Sequence, residues 1–192
     1  MWHFLGQKRA EDLNNRVFLF FAVLGTADVV AEFFTNYYIT SYNSDMGTAA
    51  VIVTTIFYLL QALLPATFIF YIQTLHEQKI ISAKKMFISG VPTLVLISVI
   101  LTNPFTEKLF SFDVTAGYVK GPWYLLMYVS ALGHFAVALL LILLWRKKLG
   151  PQKEKILLEI FVISGVGVIL QMFCQSLLMT GFGMSLGILA LF

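Results

Sequence analysis

Residues 47–75 read GTAAVIVTTIFYLLQALLPATFIFYIQTL and contain no charged side chain. A helix needs about 20 apolar residues to cross the ~30 Å hydrocarbon core of a bilayer, and this run exceeds that length. In lipid every backbone amide must find its hydrogen-bond partner within the segment. The run therefore predicts a transmembrane α-helix, and it decides the fold class.

Other apolar runs lie on both sides of this stretch and predict further helices. With 47–75 included, we predict helices at about 17–39, 47–75, 86–103, 123–145 and 156–179. A turn signal at 180–183 precedes a short arm, 184–192, which spans only about 13 Å as a helix. These segments predict an all-α fold in which residues 1–192 form one polytopic membrane bundle. Five transmembrane helices are complete, and the sixth is incomplete, as expected of a fragment of a longer protein.

The composition agrees with a chain that is solvated mainly by lipid. Hydrophobic residues make up 59% of the chain and charged residues 12%, whereas soluble domains carry about 25% charged residues. The net charge of +3 does not indicate nucleic-acid binding, because the basic residues form short clusters between apolar runs, as topology determinants do. The only cysteine, Cys174, excludes an intramolecular disulfide.

The basic residues predict the orientation of the bundle. Only Lys108 and Lys120 fall on one side, whereas eleven fall on the other: Lys8, Arg9, Arg16, Lys79, Lys84, Lys85, Arg146, Lys147, Lys148, Lys153 and Lys155. Cytoplasmic loops carry the excess of Lys and Arg. We therefore expect the N-terminus to face the cytoplasm.

The sequence contains no catalytic signature. It lacks a glycine-rich phosphate loop, a pair of histidines at metal-ligand spacing and a serine in a nucleophile-elbow context. We therefore expect no enzymatic activity, cofactor or metal site from these residues.

Two acidic residues, Asp28 and Glu32, lie deep in the first predicted span. They are four positions apart and therefore share one helix face. A carboxylate near the middle of the bilayer costs roughly 2.5–3.5 kcal/mol on insertion scales and marks a binding or proton site by default. The alternative is a protonated acid that hydrogen-bonds between helices. Both interpretations remain open from the sequence.

Residues predicted at the same depth in the bilayer as these acids are their candidate partners. Counted from Arg16 and Trp123, Asp28 and His134 each lie about 16–18 Å inside the bilayer. The candidate ligand or proton site consists of Asp28, Glu32, Gln61, His134 and Gln171. For His134 and Gln61, a structural interhelical hydrogen bond is the alternative.

The predicted outer loop, residues 102–122, is rich in aromatic residues. One interpretation is a solvated connector with turns at Asn-Pro and Gly-Pro. The other is a hairpin or lid over the outer mouth of the bundle, because the aromatic residues make the loop amphipathic. The positions that define this motif are Asn103, Pro104, Phe105, Asp113, Tyr118, Gly121 and Pro122.

The segment TNPFTEKLFSFDVTAGYVKGPWYLLMYV, together with Asp28 and Gln61, resembles the N-terminal membrane regions of bacterial GGDEF-type diguanylate cyclases. Related sensor regions precede histidine kinases. The resemblance implies a sensory membrane domain that relays a signal to a cytoplasmic cyclase domain. No GGDEF sequence occurs in these residues, so cyclase activity would belong to an output domain beyond Phe192.

We therefore expect the membrane input module of a bacterial signalling protein in the cytoplasmic membrane, acting in cyclic di-GMP signalling. Its expected partners are the lipid bilayer, a small-molecule or membrane stimulus, and a second copy of the chain through the output domain. The alternative is a six-helix transporter subunit that binds a small molecule within the bilayer. A structural or assembly role is the third class that the sequence leaves open.

Overall fold

The computed structural model describes residues 13–77 and 83–173. Within these two ranges the chain forms five α-helices and one two-stranded sheet. The helices are α1 (Leu13–Thr40), α2 (Gly47–Glu77), α3 (Ala83–Thr106), α4 (Leu125–Leu149) and α5 (Pro151–Phe173), and the strands are β1 (Phe110–Asp113) and β2 (Gly117–Lys120). A 3-10 turn, Ser44–Met46, joins α1 to α2.

Three of the described helices are long and apolar enough to cross a membrane: Leu13–Thr40, Gly47–His76 and Leu125–Leu149. The predicted helical fold is therefore confirmed, with helices long and apolar enough to cross a membrane. In α3 the segment Gly90–Thr106 is a shorter apolar helix, and Lys84 and Lys85 belong to the first turn of α3. The predicted arm 184–192 lies outside the described residues. The count of five complete spans stays a prediction.

Helix α2 is the centre of the bundle. In the inner half, buried side chains of α1, α2, α4 and α5 form one hydrophobic cluster that includes Phe21, Ile72 and Ile142. In the outer half, α2 contributes Phe57 to a second cluster that also contains residues of α1, α3, α4 and β1. Helix α2 therefore contributes to both clusters and connects the two halves of the bundle.

Two aromatic contacts fix the register of the antiparallel α1–α2 pair. The rings of Phe21 and Phe68 stack with centroids 5.8 Å apart, and those of Phe18 and Tyr71 lie at the same separation. Further out, Ala31 packs in the same cluster as Tyr58. The same pairing thus continues along both helices, and it determines which polar residues face each other.

The predicted turn at Asn103-Pro104 is wrong. Helix α3 continues through both residues to Thr106, and Glu107 donates its amide to the Asn103 carbonyl at 2.8 Å. The helix ends at Glu107, which adopts a left-handed φ of 52°. Helix α4 begins at Leu125 and not at Trp123, since residues 122–124 form a turn.

Candidate functional site

Between α3 and α4 the chain forms an antiparallel hairpin. Its register runs from the Phe110–Lys120 pair to the Asp113–Gly117 pair. At the tip, one Asp113 carboxylate oxygen accepts hydrogen bonds from the Thr115 hydroxyl at 2.5 Å, the Thr115 amide at 2.8 Å and the Ala116 amide at 2.9 Å. The hydroxyl bond, followed by those from the two amides, lowers the pKa of Asp113. Asp113 therefore shapes the turn.

Asn103 joins the hairpin to the end of α3. Its side-chain oxygen accepts hydrogen bonds from the amides of Leu109 at 2.7 Å and Phe110 at 3.3 Å, and its amide group donates to the Phe110 carbonyl at 2.9 Å. Asn103 is 1% exposed. A buried polar side chain bound in this way fixes the position of strand β1 relative to α3.

Gly121 allows the return strand to approach the end of α3 closely. A Cβ atom at this position would overlap the Lys108 carbonyl and approach that of Glu107 within 2.8 Å. The Gly121 amide donates to the Leu109 carbonyl at 2.8 Å, and the Trp123 amide donates to the Lys108 carbonyl at 2.8 Å. The turn that begins at Pro122 thus closes the hairpin.

The hairpin packs aromatic residues against the bundle. Tyr118 on β2 forms a hydrogen bond with Tyr58 in the middle of α2, with the two phenol oxygens 2.5 Å apart. Phe112 on β1 stacks on Tyr42 beside the α1–α2 turn, with ring centroids 5.0 Å apart. Burial raises the pKa of Tyr118 to about 12, so its phenol stays protonated at neutral pH. The hairpin interpretation of the outer loop is therefore correct.

The two lysines of the outer loop lie over aromatic rings. Lys108 Nζ is 4.2 Å from the centroid of the Trp123 ring, and Lys120 Nζ is 4.5 Å from that of Tyr124. Such cation–π contacts contribute about 0.5–1 kcal/mol at exposed sites. Partial burial lowers the pKa of Lys120. Both lysines contact aromatic rings in the turn that precedes α4.

Pro104 and Phe105 lie in the last turn of α3. Phe105 is 89% exposed, which is typical of an aromatic residue at the interface between lipid and water. Of the motif predicted from the sequence, Asn103, Asp113, Tyr118 and Gly121 form the hairpin and its attachments, whereas Phe105 points away from it.

The two acids of α1 are buried inside the bundle. Asp28 is 0% exposed and Glu32 is 6% exposed, and the two carboxyl groups interact electrostatically with each other. Within residues 13–77 and 83–173, neither side-chain oxygen of Asp28 has a hydrogen-bond partner. A buried carboxyl group without a partner is costly, so its presence asks for a functional explanation.

The α1–α2 register brings Gln61 to the same level as Asp28. Phe21 of α1 stacks on Phe68 of α2. Asp28 and Gln61 each lie two helical turns outward from this pair, on α1 and α2 respectively. The Gln61 side-chain nitrogen is also buried without a partner in the described part of the chain. The structure thus brings together Asp28, Glu32 and Gln61 of the predicted site.

Two further turns outward, the same register pairs Thr35 with Thr54. They are 1% and 0% exposed, and among described residues neither hydroxyl has a partner. Their neighbours differ, since Thr55 donates to the Val51 carbonyl at 2.7 Å and Thr67 donates to the Leu63 carbonyl at 2.9 Å. Sequence reasoning missed both threonines, although their heptad spacing from Asp28 and Gln61 was a usable signal.

His134 belongs to a different contact. Its Nε2 accepts from the Thr93 hydroxyl on α3 at 2.8 Å, while its Nδ1 donates to the Ser130 carbonyl at 2.7 Å. Both ring nitrogens of this 6% exposed side chain are therefore engaged, Nε2 with α3 and Nδ1 within α4. The structure does not bond His134 to the acids of α1. The Gln171 side chain lies outside the described residues.

The acids, Gln61 and the two threonines form a polar seam between α1 and α2, defined by Asp28, Glu32, Thr35, Thr54 and Gln61. The polar side-chain atoms of the seam are all oxygens except the Gln61 amide nitrogen. In the part of the chain that the structure describes, no group of three His, Cys, Asp or Glu side chains is placed to hold a metal ion.

No protein family, characterised protein or solved structure matches this chain. The fold defines it as a helical protein with several helices able to cross a membrane. The resemblance to sensor regions of diguanylate cyclases stays a prediction.

Proposed function

We propose that the chain is the membrane input module of a bacterial signalling protein, which passes a signal from the outer hairpin through α2 to a cytoplasmic output. The observation that carries the proposal is the direct hydrogen bond between Tyr118 of the hairpin and Tyr58 within α2. Following the resemblance stated above, the proposed output is a diguanylate cyclase domain.

The hairpin contacts four parts of the bundle at once. It is attached to α3 through Asn103, to α2 through Tyr58 and to the α1–α2 turn through Tyr42. It also contacts the turn that precedes α4 through the ring of Tyr124. A ligand that changes the position of the hairpin would therefore change the packing of all four helices. Such a shift between two helix packings is a known form of switching in proteins.

The proposal includes the topology. Five complete spans and a sixth would cross the bacterial cytoplasmic membrane, with the N-terminus and the basic connections inside and the hairpin outside. The support is the distribution of the basic residues. The inner end of α4 carries Arg146, Lys147 and Lys148 in its last turn, where cations also interact favourably with the helix dipole.

A labelling experiment tests this topology. In a Cys174→Ala background, a cysteine introduced by Val114→Cys at the hairpin tip, where Val114 is 71% exposed, should react with a membrane-impermeant maleimide on intact cells. A cysteine introduced by Lys148→Cys should react only after the cells are opened, because the basic end of α4 is held inside. The reverse pattern would contradict the proposed orientation.

The signalling proposal predicts that Tyr118→Phe alters the output of the natural gene product. The substitution removes only the hydroxyl group that bonds to Tyr58, and a hydrogen bond of this kind contributes about 1 kcal/mol. If the two packings differ in this bond, their ratio should change about fivefold. Cellular cyclic di-GMP should change accordingly, and its measurement in cells that express each variant gives the result.

The matched control is Tyr37→Phe, which removes a phenol hydroxyl from a side chain that is 50% exposed at the outer end of α1. This variant should signal like the natural protein. Cyclic di-GMP at the natural level in Tyr118→Phe, with normal amounts of protein in the membrane, would contradict the proposal.

One observation favours the transporter alternative. The buried, unpartnered carboxyl group of Asp28 is the kind of residue that lines substrate and ion pathways. Transport predicts uptake of a solute into proteoliposomes that contain this chain, together with unchanged cyclic di-GMP in the Tyr118→Phe cells.

A further inference from the structure

A crevice opens on the inner half of the bundle, where α1, α2 and α3 all contribute to its wall. Its volume is about 390 Å³, within the range of roughly 300–1,000 Å³ that is typical of small-molecule pockets. Along α2 it is lined by Leu63, Ala66, Thr67 and Phe70. These positions are three and four apart, so they form one helix face, which extends over about 10 Å of the helix axis.

The wall of this crevice is charged at one end and apolar along the rest. On α1 it is lined by Arg16 and, one turn further along the helix, by Phe20, whose side chain is 57% exposed. On α2 the Thr67 hydroxyl donates to the Leu63 carbonyl at 2.9 Å, so this polar group is satisfied within its own helix. Of the described residues that line the crevice, only Arg16 is charged. A ligand that fits it therefore has an anionic group beside an apolar body.

Gly90 keeps the α3 side of the crevice open. Glycine in a membrane helix usually allows a second helix to approach closely, but a Cβ atom added at Gly90 would meet nothing within 4 Å. Among the α3 side chains that the structure describes, none belongs to the inner hydrophobic cluster, whereas Leu96 and Ile100 belong to the outer one. Helix α3 therefore packs through its outer half and leaves space beside Gly90 in the inner half.

Charge favours a lipid over another helix as the occupant. Residues 174–192 contain no Asp or Glu, so that segment offers no anionic side chain to Arg16. A guanidinium group has several N–H donors and binds phosphate in a bidentate manner. Lys84 and Lys85 belong to the first turn of α3, about 8 Å inward from Gly90 along the helix, which adds positive charge at the same end. Basic pockets between membrane helices bind anionic lipid headgroups.

We propose that the crevice binds one anionic phospholipid, with its phosphate group on Arg16 and an acyl chain along the α2 face from Phe70 to Leu63. Phosphatidylglycerol has this chemistry, because it carries a negative phosphate next to its acyl chains. The bound lipid fills the space beside Gly90 and connects the inner ends of α1 and α3. The inference rests on helices that cross a membrane and does not depend on the proposed signalling output.

The first test adds phosphatidylglycerol or phosphatidylcholine with the same acyl chains to the purified chain in detergent. A ligand that binds only the folded state raises the melting temperature. At a concentration about a hundredfold above its Kd, phosphatidylglycerol should raise it by about 5 °C. Phosphatidylcholine should raise it much less, because its choline group offsets the phosphate charge. Native mass spectrometry should show one retained phosphatidylglycerol molecule per chain.

Substitutions locate the lipid. Arg16→Gln should weaken phosphatidylglycerol binding by at least about tenfold, because hydrogen bonds to a charged group are lost, and Gly90→Leu should abolish binding by filling the crevice. The matched controls are Arg146→Gln, in the last turn of α4, and Gly133→Leu, where an added Cβ also meets nothing within 4 Å. Neither residue lines the crevice, so both variants should keep the full rise. If Gly90→Leu does not fold, Arg16→Gln and mass spectrometry of the unaltered chain decide the question.

The proposal is overturned if the two lipids raise the melting temperature equally, if Arg16→Gln or Gly90→Leu keeps the full rise, or if inorganic phosphate replaces the lipid. The absence of any rise would also overturn it. In that case, a disulfide formed in full yield between two Gly90→Cys copies in membranes, in a Cys174→Ala background, would identify a second copy as the occupant. None of these results depends on cyclic di-GMP, so failure of the lipid site would leave the signalling proposal standing, and the converse also holds.

Discussion

Asn103→Leu should lower the free energy of unfolding by about 3–5 kcal/mol, the largest loss we expect from a single substitution outside the apolar core. Leucine has a similar volume but cannot replace the three hydrogen bonds that Asn103 makes to Leu109 and Phe110. Each buried backbone group left without a partner costs about 1–3 kcal/mol. Equilibrium unfolding in mixed micelles measures the loss.

Asn36→Leu is the control for this prediction. Asn36 is exposed near the outer end of α1, so the same chemical change there should stay within about 0.5 kcal/mol. Amide hydrogen exchange at Leu109 and Phe110 should accelerate in Asn103→Leu only. If both variants unfold at the same denaturant concentration, Asn103 does not hold the hairpin.

Gly121→Ala should destabilise the protein by about 3 kcal/mol and displace the return strand. The new Cβ would meet backbone atoms of Lys108 and Glu107, and backbone cannot move aside as a flexible side chain can. Relief of the clash must break the bonds that Gly121 and Trp123 donate to Leu109 and Lys108. Overpacking at such sites typically costs 1–3 kcal/mol, and the lost hydrogen bonds add to it.

Gly133→Ala provides the matched comparison in α4. A Cβ at Gly133 meets nothing within 4 Å, and alanine is the better helix former, so the melting temperature should stay unchanged or rise slightly. Thermal unfolding of both variants in the same detergent gives the comparison. An equally small effect of the two substitutions would show that Gly121 is not a point of close contact.

The sequence predicted the outer loop less well than the helices. The aromatic residues between Phe105 and Tyr118 allowed either a connector or a hairpin, and Asn103-Pro104 looked like a turn. In the structure Asn103 lies in the last turn of α3, and its side chain holds the start of β1. Its role depends on Leu109 and Phe110 folding back onto it, and no local pattern shows that return.

The candidate site was predicted in part for a similar reason. Asp28 and Glu32 stood out because acids in an apolar run are expensive, and the helical period placed them on one face. Gln61 was grouped with them by depth, and the α1–α2 register places it at the level of Asp28. His134 was grouped by the same argument, but its ring faces Thr93 on α3. Depth along a helix says nothing about the direction around its axis, so the threonine pair was also missed.

The sequence by itself therefore determined the fold class, the positions of the described apolar helices to within a few residues and the level of each polar group along its helix. These properties depend on the length of apolar runs and on the rise of a helix, which are local. Only the tertiary structure decided that Tyr118 bonds to Tyr58, that Asn103 holds the hairpin, and that Asp28 lies at the level of Gln61 and Thr35 at that of Thr54. These pairings depend on the rotation and register of each helix, which are set by the packing of buried aromatic residues such as Phe21 and Phe68.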